Sequence, residues 1–237
     1  SEAGAQILKV WDNDSKKVEA FCKQFPTAIV AKSEEEVLNG DFNMIACASV
    51  ASDRGKIGLK AMELGKDFFA DKPSITTLED LEALRSMYVK TGKRFFTYFS
   101  ERLHVEASVY AEKLLNEGAI GKVIQVMGWG PHRIGPEENR PQWFWHEKQF
   151  GGILCDIGCH QIEQLMFFSG AKDAKIISSR VGNYNHPKYP EFQDLGDATI
   201  ECDNGVTGYF RNDWFTPDGL GAWGDGRTLL LGTDGSI

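Results

Sequence analysis

Short apolar strands alternate with amphipathic helices through the first hundred residues, and that alternation leaves few folds open. Gln6–Trp11 reads as a strand ending in Asp12-Asn13-Asp14, followed by a helix over Ser15–Phe25. Thr27–Ala31 is a second strand, and Ser33 with three glutamates behind it opens a second helix. Asn43–Val50 is an unbroken apolar run, expected to be a strand buried on both faces. A helix over Asp53–Leu64, a turn at Gly65-Lys66 and a strand over Asp67–Ala70 come next. Thr77 caps a helix that runs through Lys90 and stops at Gly92, and Arg94–Phe99 is a further strand. Strands joined by crossover helices predict a doubly wound parallel sheet, the α/β Rossmann class.

The rhythm changes near residues 99–104, where a domain boundary is expected, dividing the chain into 1–100 and 101–237. A helix over Val105–Glu117 and a strand over Lys122–Gly130 lead into an irregular aromatic stretch and a helix over Ile153–Ser169. Ala174–Asn183, Asp197–Asp203, Thr207–Asp213 and Thr228–Gly232 read as strands, two of them joined through the turn Asp203-Asn204-Gly205. The second domain is therefore expected to be α+β, with an antiparallel sheet.

No G-x-G-x-x-G follows a strand, and Asp12 comes too early for one to precede it. In the usual strand order the first strand lies mid-sheet. The strands at Gln6 and Asn43 should then flank a gap. The chain is accordingly expected to lack the first βα unit of such a domain, and also the end of the second domain, since it stops partway through what reads as a hairpin.

With 237 residues and 42% hydrophobic content, a sizeable core can form. Twenty-six basic residues stand against thirty-four acidic ones, for a net charge of −8, and no basic run suits a phosphate backbone. Nucleic acid is excluded as a partner on that ground. Five cysteines, at 22, 47, 155, 159 and 202, are odd in number and irregular in spacing, as in a reducing compartment. No apolar run approaches the roughly 18 residues of a membrane span, so the expectation is a soluble cytoplasmic protein.

Two segments carry the chemistry. Asp71-Lys72-Pro73 puts a lysine at the carboxyl edge of a parallel strand, where such sheets bind ligands, and the proline restrains its backbone. A surface charge is the plainer reading, and the two stand about even. Gly151-Gly152 opens a helix on which Asp156, His160 and Glu163 share one stripe, while Leu154, Gly158, Ile162 and Leu165 face the other way. That stripe suits proton transfer; a solvated face or a divalent-metal site would have the same spacing. Cys155 and Cys159 are expected to point elsewhere. Asp12 can accept hydrogen bonds from an adenosine ribose and repel a 2′-phosphate, favouring NAD over NADP, or simply be a turn carboxylate. Trp129, Trp143, Phe144, Trp145 and His146, flanked by Arg133, Arg140 and Gln142, suit a sugar or polyol, or equally a packed loop.

Together these segments resemble the Gfo/Idh/MocA oxidoreductases. Ala61-Met62-Glu63-Leu64-Gly65-Lys66 running into Asp71-Lys72-Pro73 is similar to that family's A-L-x-A-G-K…E-K-P. Gly151-Gly152…Asp156-x-Gly158-x-His160-x-x-Glu163 is similar to its G-G…D-x-G-x-H-x-x-D. The resemblance implies an NAD-dependent dehydrogenase acting on a sugar, cyclitol or related polyol, with Lys72, Asp156 and His160 catalytic and the Lys72–Pro73 bond often cis. His160 would take the hydroxyl proton while Lys72 and Asp156 orient the substrate. On this reading Asp12, Asn13, Ala48, Ser49, Asp71, Lys72 and Pro73 line the cofactor, Arg102, Trp143 and Glu163 line the substrate, and no metal is involved. The resemblance also implies that the second domain's sheet is open-faced and mostly antiparallel, and that the protein is a homodimer or homotetramer associated through the exposed face of that sheet. The family's P-N-x-x-H is replaced by Val50-Ala51-Ser52-Asp53-Arg54, which puts the loop along the cofactor in question. An NAD-dependent glycoside hydrolase of the same fold and a non-catalytic relative are the alternatives.

Overall fold

Side-chain caps start three of the helices of the first half. In the computed structural model, which describes residues 4–237, Asp14 accepts from the backbone N–H of Lys16, Ser33 from that of Glu36 and Thr77 from that of Asp80. The elements run β1 (Lys9–Val10), α1 (Ser15–Gln24), β2 (Ile29–Val30), α2 (Glu34–Leu38), β3 (Met44–Cys47), α3 (Ala51–Glu63), β4 (Asp67–Ala70), α4 (Leu78–Thr91) and β5 (Phe95–Thr97). Every pairing among these strands is parallel: β1 with β2, β3 with β4, and β4 with β5.

The five strands form two sheets, β1–β2 and β3–β4–β5, with no hydrogen-bonded ladder between β1 and β3 among the described residues. One expectation fails here. Strand β3 is buried on one face only: Ile45 is 6% exposed and packs with Leu38, Ala61, Phe68 and Ala70, whereas Met44 is 48% exposed. Alternate side chains of a strand point to opposite faces, and this core cluster lies on the Ile45 side.

The second half contains α5 (Ser100–Leu103), α6 (Glu106–Asn116), β6 (Val123–Pro131), α7 (Glu147–Phe150), α8 (Ile153–Asp156), α9 (Gly158–Ser169), β7 (Ala174–Gly182), β8 (Leu195–Cys202), β9 (Thr207–Asp213) and β10 (Arg227–Gly232). Its sheet has the order β10-β6-β9-β8-β7 and is antiparallel except for the β6–β9 pair. One face presents Val126, Ala198, Ile200, Phe210 and Leu230 to Leu165 and Phe168 of α9. The alternate residues Met127, Trp129 and Tyr209 are half-buried, and Leu231 is exposed, on the open side. A second core of this half is an aromatic cluster of Phe144, Trp145, Phe150, Phe192 and Trp214. Among the described residues, no helix is long and apolar enough to cross a membrane.

The helix expected over Ile153–Ser169 is broken at Ile157 into α8 and α9. Past the break, α9 lies close on the sheet because strand β9 offers a glycine beneath it. A Cβ at Gly208 would sit 2.5 Å from Cδ2 of Leu165, which is only 2% exposed and has no room to move aside. Gly208→Ala should therefore lower stability by about 1–3 kcal/mol, read from the midpoint of chemical denaturation. A midpoint unchanged from wild type would show that α9 tolerates lifting off the sheet.

Candidate active site

Lys72 leaves the rim just after β4 and reaches across to the second half. Its Nζ donates to Asp156 Oδ1 at 2.9 Å and to the Asp156 backbone carbonyl at 3.0 Å. The helix break makes the second bond available. In a continuous helix the N–H of residue 160 would donate to the carbonyl of residue 156. Here the His160 N–H turns back to Ile157 O at 3.0 Å, leaving the Asp156 carbonyl for Lys72 and, at 3.4 Å, for the Cys159 thiol. One lysine thus reads both the charge and the backbone of Asp156.

The two glycines before α8 let this contact form. Gly151 and Gly152 have φ of +88° and +81°, a region that favours glycine. A Cβ on Gly151 would lie 2.8 Å from Thr76 of the loop after β4, and one on Gly152 would lie 2.7 Å from Gln193 Oε1. That same Gln193 oxygen accepts from the Ile153 N–H at 3.0 Å and so caps α8. The side chain of Thr76 in the lysine loop thus packs directly on the backbone of the Gly-Gly turn. The Lys72–Pro73 bond is cis.

His160 is 3% exposed, its ring edge-on to Phe99 at a centroid distance of 5.9 Å. Its Nδ1 is buried and makes no hydrogen bond among the described residues. Burial first, then the Lys72 charge and His132, push its pKa down to about 4 against the opposing pull of Asp156, so the imidazole is neutral at pH 7. For Lys72 burial is the largest influence and disfavours the ammonium, but Asp156, Cys159 and Asp71 together outweigh it and the pKa is raised. The pair therefore stands as a charged lysine beside an uncharged histidine.

Three residues of this site carried no signal in the sequence. Glu101 Oε2 accepts from Gln161 Nε2 at 2.8 Å and Gln164 Nε2 at 3.3 Å, and Glu101 Oε1 lies 3.9 Å from His132 Nε2. Burial raises the Glu101 pKa, against the side-chain bond from Gln161 and the charge of Lys72. Burial and the Lys72 charge lower that of His132. Asn212 completes the network by donating to Gln161 Oε1 at 2.6 Å. These groups come from α5, α9, β9 and the residue just past β6, which only the tertiary fold brings together.

Of the other residues singled out, Arg102 and Glu163 pair with each other, and the Arg102 guanidinium stacks 3.9 Å above the Phe167 ring. Trp143 is half-buried against the aromatic cluster, within which Phe144 and Trp145 are core residues. Arg140 is packed over Phe144, Trp214 and Trp223 and donates to the Ile134 and Arg133 carbonyls. On the cofactor side, Asp12 is half-buried and accepts from the Asp14 N–H at 2.8 Å, and Asn13 is exposed. Ala48 and Ser49 lie just past the end of β3, and Asp71 accepts from the Lys72 N–H at 2.8 Å. Cys155 and Cys159 do not point elsewhere. Cys155 donates to the Ile75 carbonyl, and burial pushes its thiol up to about 11. The Asp156-His160-Glu163 spacing does not gather a metal site, because Lys72 holds one carboxylate and Arg102 the other.

Two family models match the chain. The GFO/IDH/MocA C-terminal domain matches residues 109–237, and the oxidoreductase family's NAD-binding Rossmann fold matches residues 1–99. The chain belongs to the GFO/IDH/MocA oxidoreductases. Within that family it is 27% identical over 240 residues to scyllo-inositol 2-dehydrogenase (NAD(+)) of Bacillus subtilis, covering all of this chain and 67% of that protein. A candidate oxidoreductase from Erwinia carotovora atroseptica superposes with a TM-score of 0.96 at 47% identity, over 99% of this chain and 70% of the other. A levoglucosan dehydrogenase solved with NADH and levoglucosan shares the fold, with a TM-score of 0.83 at 20% identity over 97% of this chain and 63% of that one. The chain thus spans about two thirds of the family members it resembles.

Because His160 is held uncharged, the unfolded chain binds a proton between pH 6.5 and about 4 that the folded chain refuses. Its contribution to stability is complete above pH 6.5 and is lost as the pH falls through that window. A shift of that size corresponds to roughly 3 kcal/mol between the two ends. His160→Gln should flatten the fall in stability between pH 6.5 and 4, compared with wild type by urea denaturation. Identical slopes in the two proteins would show that the imidazole titrates freely.

Proposed function

We propose that this chain carries out the NAD-dependent oxidation of a secondary hydroxyl on a sugar, cyclitol or related polyol, in a cleft between residues 1–100 and 101–237. The observation that carries the reading is the bond from Lys72 Nζ to Asp156 across the two halves, beside a neutral buried imidazole. NAD supplies the hydride acceptor.

The protein's own groups do the rest. His160, uncharged at working pH and with an Nδ1 that has no partner among the described residues, accepts the hydroxyl proton. Lys72 stays charged through Asp156 and stabilises the negative charge that develops on the substrate oxygen. Asp156 holds the ammonium in place. Asp12, at the carboxyl end of β1, fits the ribose hydroxyls of NAD and disfavours a 2′-phosphate. Asn13, Ala48, Ser49, Asp71 and Pro73 line the same rim. Arg102 with Glu163 offers a donor and an acceptor at one place for substrate hydroxyls, and Trp143 an aromatic edge. The reading also takes the protein to be cytoplasmic and to associate as a homodimer or homotetramer through the sheet face bearing Met127 and Tyr209.

Titration with NAD and NADP by calorimetry, followed by rates on inositols, aldoses and anhydrosugars, tests the proposal. NAD should bind more tightly than NADP. Lys72→Ala and His160→Ala should each lower kcat by about 10²–10⁴ with cofactor affinity little changed. The acid limb of kcat/KM should lie near pH 4, well below that of a free histidine, because His160 remains unprotonated to about that value. Failure of the wild type to bind NAD overturns the proposal. Release of a sugar from a glycoside without net NADH would point to a hydrolase instead.

A further inference from the structure

Arg54 occupies the position where the family motif has a histidine, and it does something no histidine could. It sits in α3, is 4% exposed, and spends its guanidinium on backbone carbonyls from two different loops. Nε donates to Ser49 O at 2.9 Å. Nη1 donates to three successive carbonyls, those of Asp71 at 3.0 Å, Lys72 at 2.7 Å and Pro73 at 3.0 Å. No carboxylate forms a salt bridge with it among the described residues.

Burying a cation without a paired anion is costly unless fixed dipoles replace its hydration. The four carbonyls supply those dipoles, so the loops must hold their shape for the guanidinium to stay buried, and the guanidinium in turn holds the loops. The planar fork matters. Its donors diverge from one plane, so a single side chain can reach Ser49 in one direction and residues 71–73 in another. A neutral imidazole has one donor, and an ammonium is a point charge.

The two clasped loops are those after β3 and after β4, side by side at the carboxyl edge of the sheet. Lys72 is clamped on both sides of its Cα: its carbonyl by Arg54, its N–H by Asp71 Oδ1. Its flexible four-carbon stem then has a fixed origin from which to reach Asp156 in the other half. We propose that Arg54 is a positioning residue, a buried guanidinium clasp that sets the origin of Lys72 and ties the Ser49 loop to it. It touches no reacting atom. The role in catalysis rests on the dehydrogenase reading, whereas the positioning of Lys72 does not.

The test uses Arg54→Lys, Arg54→His and Arg54→Met in the full chain. Each should lower kcat about 100-fold while KM for the polyol moves less than about threefold, as expected when a catalytic group is misplaced by roughly 1 Å. Arg54→Lys keeps the charge and should still show most of the loss. Added guanidinium ion should partly restore kcat in Arg54→Ala. A merely structural role would lower Tm, leave kcat per folded molecule at the wild-type value, and be rescued by lysine. Isotope-labelled lysine, observed by NMR without cofactor or substrate, gives a reading independent of activity. The Lys72 side-chain signal should move toward that of a free lysine in Arg54→Met and Arg54→Lys. If that signal stays at its wild-type position in the folded variants, the clasp is overturned, even should the wild type prove to have no dehydrogenase activity. If the signal moves while the wild type turns over no polyol, the clasp stands and the dehydrogenase reading fails.

Discussion

The contact between Lys72 and Asp156 joins the two halves of the molecule, and most of the local structure around it can be understood as what that contact requires. An ammonium and a carboxylate withdrawn from water repay their lost hydration only when the geometry is good and the remaining donors are satisfied. Lys72 meets both conditions by binding a side-chain oxygen and a backbone oxygen of the same residue. The backbone oxygen is available because the helix breaks at Ile157. On the opposite side, the Arg54 clasp holds the backbone from which the lysine departs. Neither feature alone would bring the ammonium to its place.

The same cation organises the electrostatics around it. Its charge opposes protonation of His160 and His132, which burial already disfavours, and eases ionisation of Glu101 against burial. A charged lysine, a paired aspartate and a neutral histidine are the states that proton abstraction from a hydroxyl calls for. The division of labour follows from which group is paired: Asp156 is engaged by the Lys72 ammonium, while His160 has a buried nitrogen with no partner among the described residues.

Close packing supports these polar contacts. Helix α9 is pressed onto the sheet where Gly208 and Gly158 leave room, and α8 is seated by the Gly151-Gly152 turn against the loop after β4. The aromatic cluster of Phe144, Trp145, Phe192 and Trp214 fills the space beneath, with Trp145 stacked on Tyr189 at 3.8 Å. Residues that read from sequence as equally suited to stacking a sugar or packing a loop are thus largely committed to the core. A large aromatic gains more by full burial than by lining a wet cleft.

Much of this protein was legible in its residues one after another. Periodicity and caps gave the parallel strands and helices of the first half, because those signals are local: Asp14, Ser33 and Thr77 cap the helices they precede. The Asp71-Lys72-Pro73 and Gly151-Gly152 segments, with Asp156 and His160 one helical turn apart, marked both sides of the Lys72–Asp156 contact. What the tertiary structure alone decided was everything that depends on distant segments meeting. The helix break at Ile157, the partnering of Glu163 with Arg102, the inward turn of Cys155, and the gathering of Glu101, His132 and Asn212 leave no periodic trace. The role of Arg54 is the clearest case. A single arginine after a strand reads as any other surface charge until the two loops it binds, seventeen to nineteen residues further on and five residues behind, fold around it.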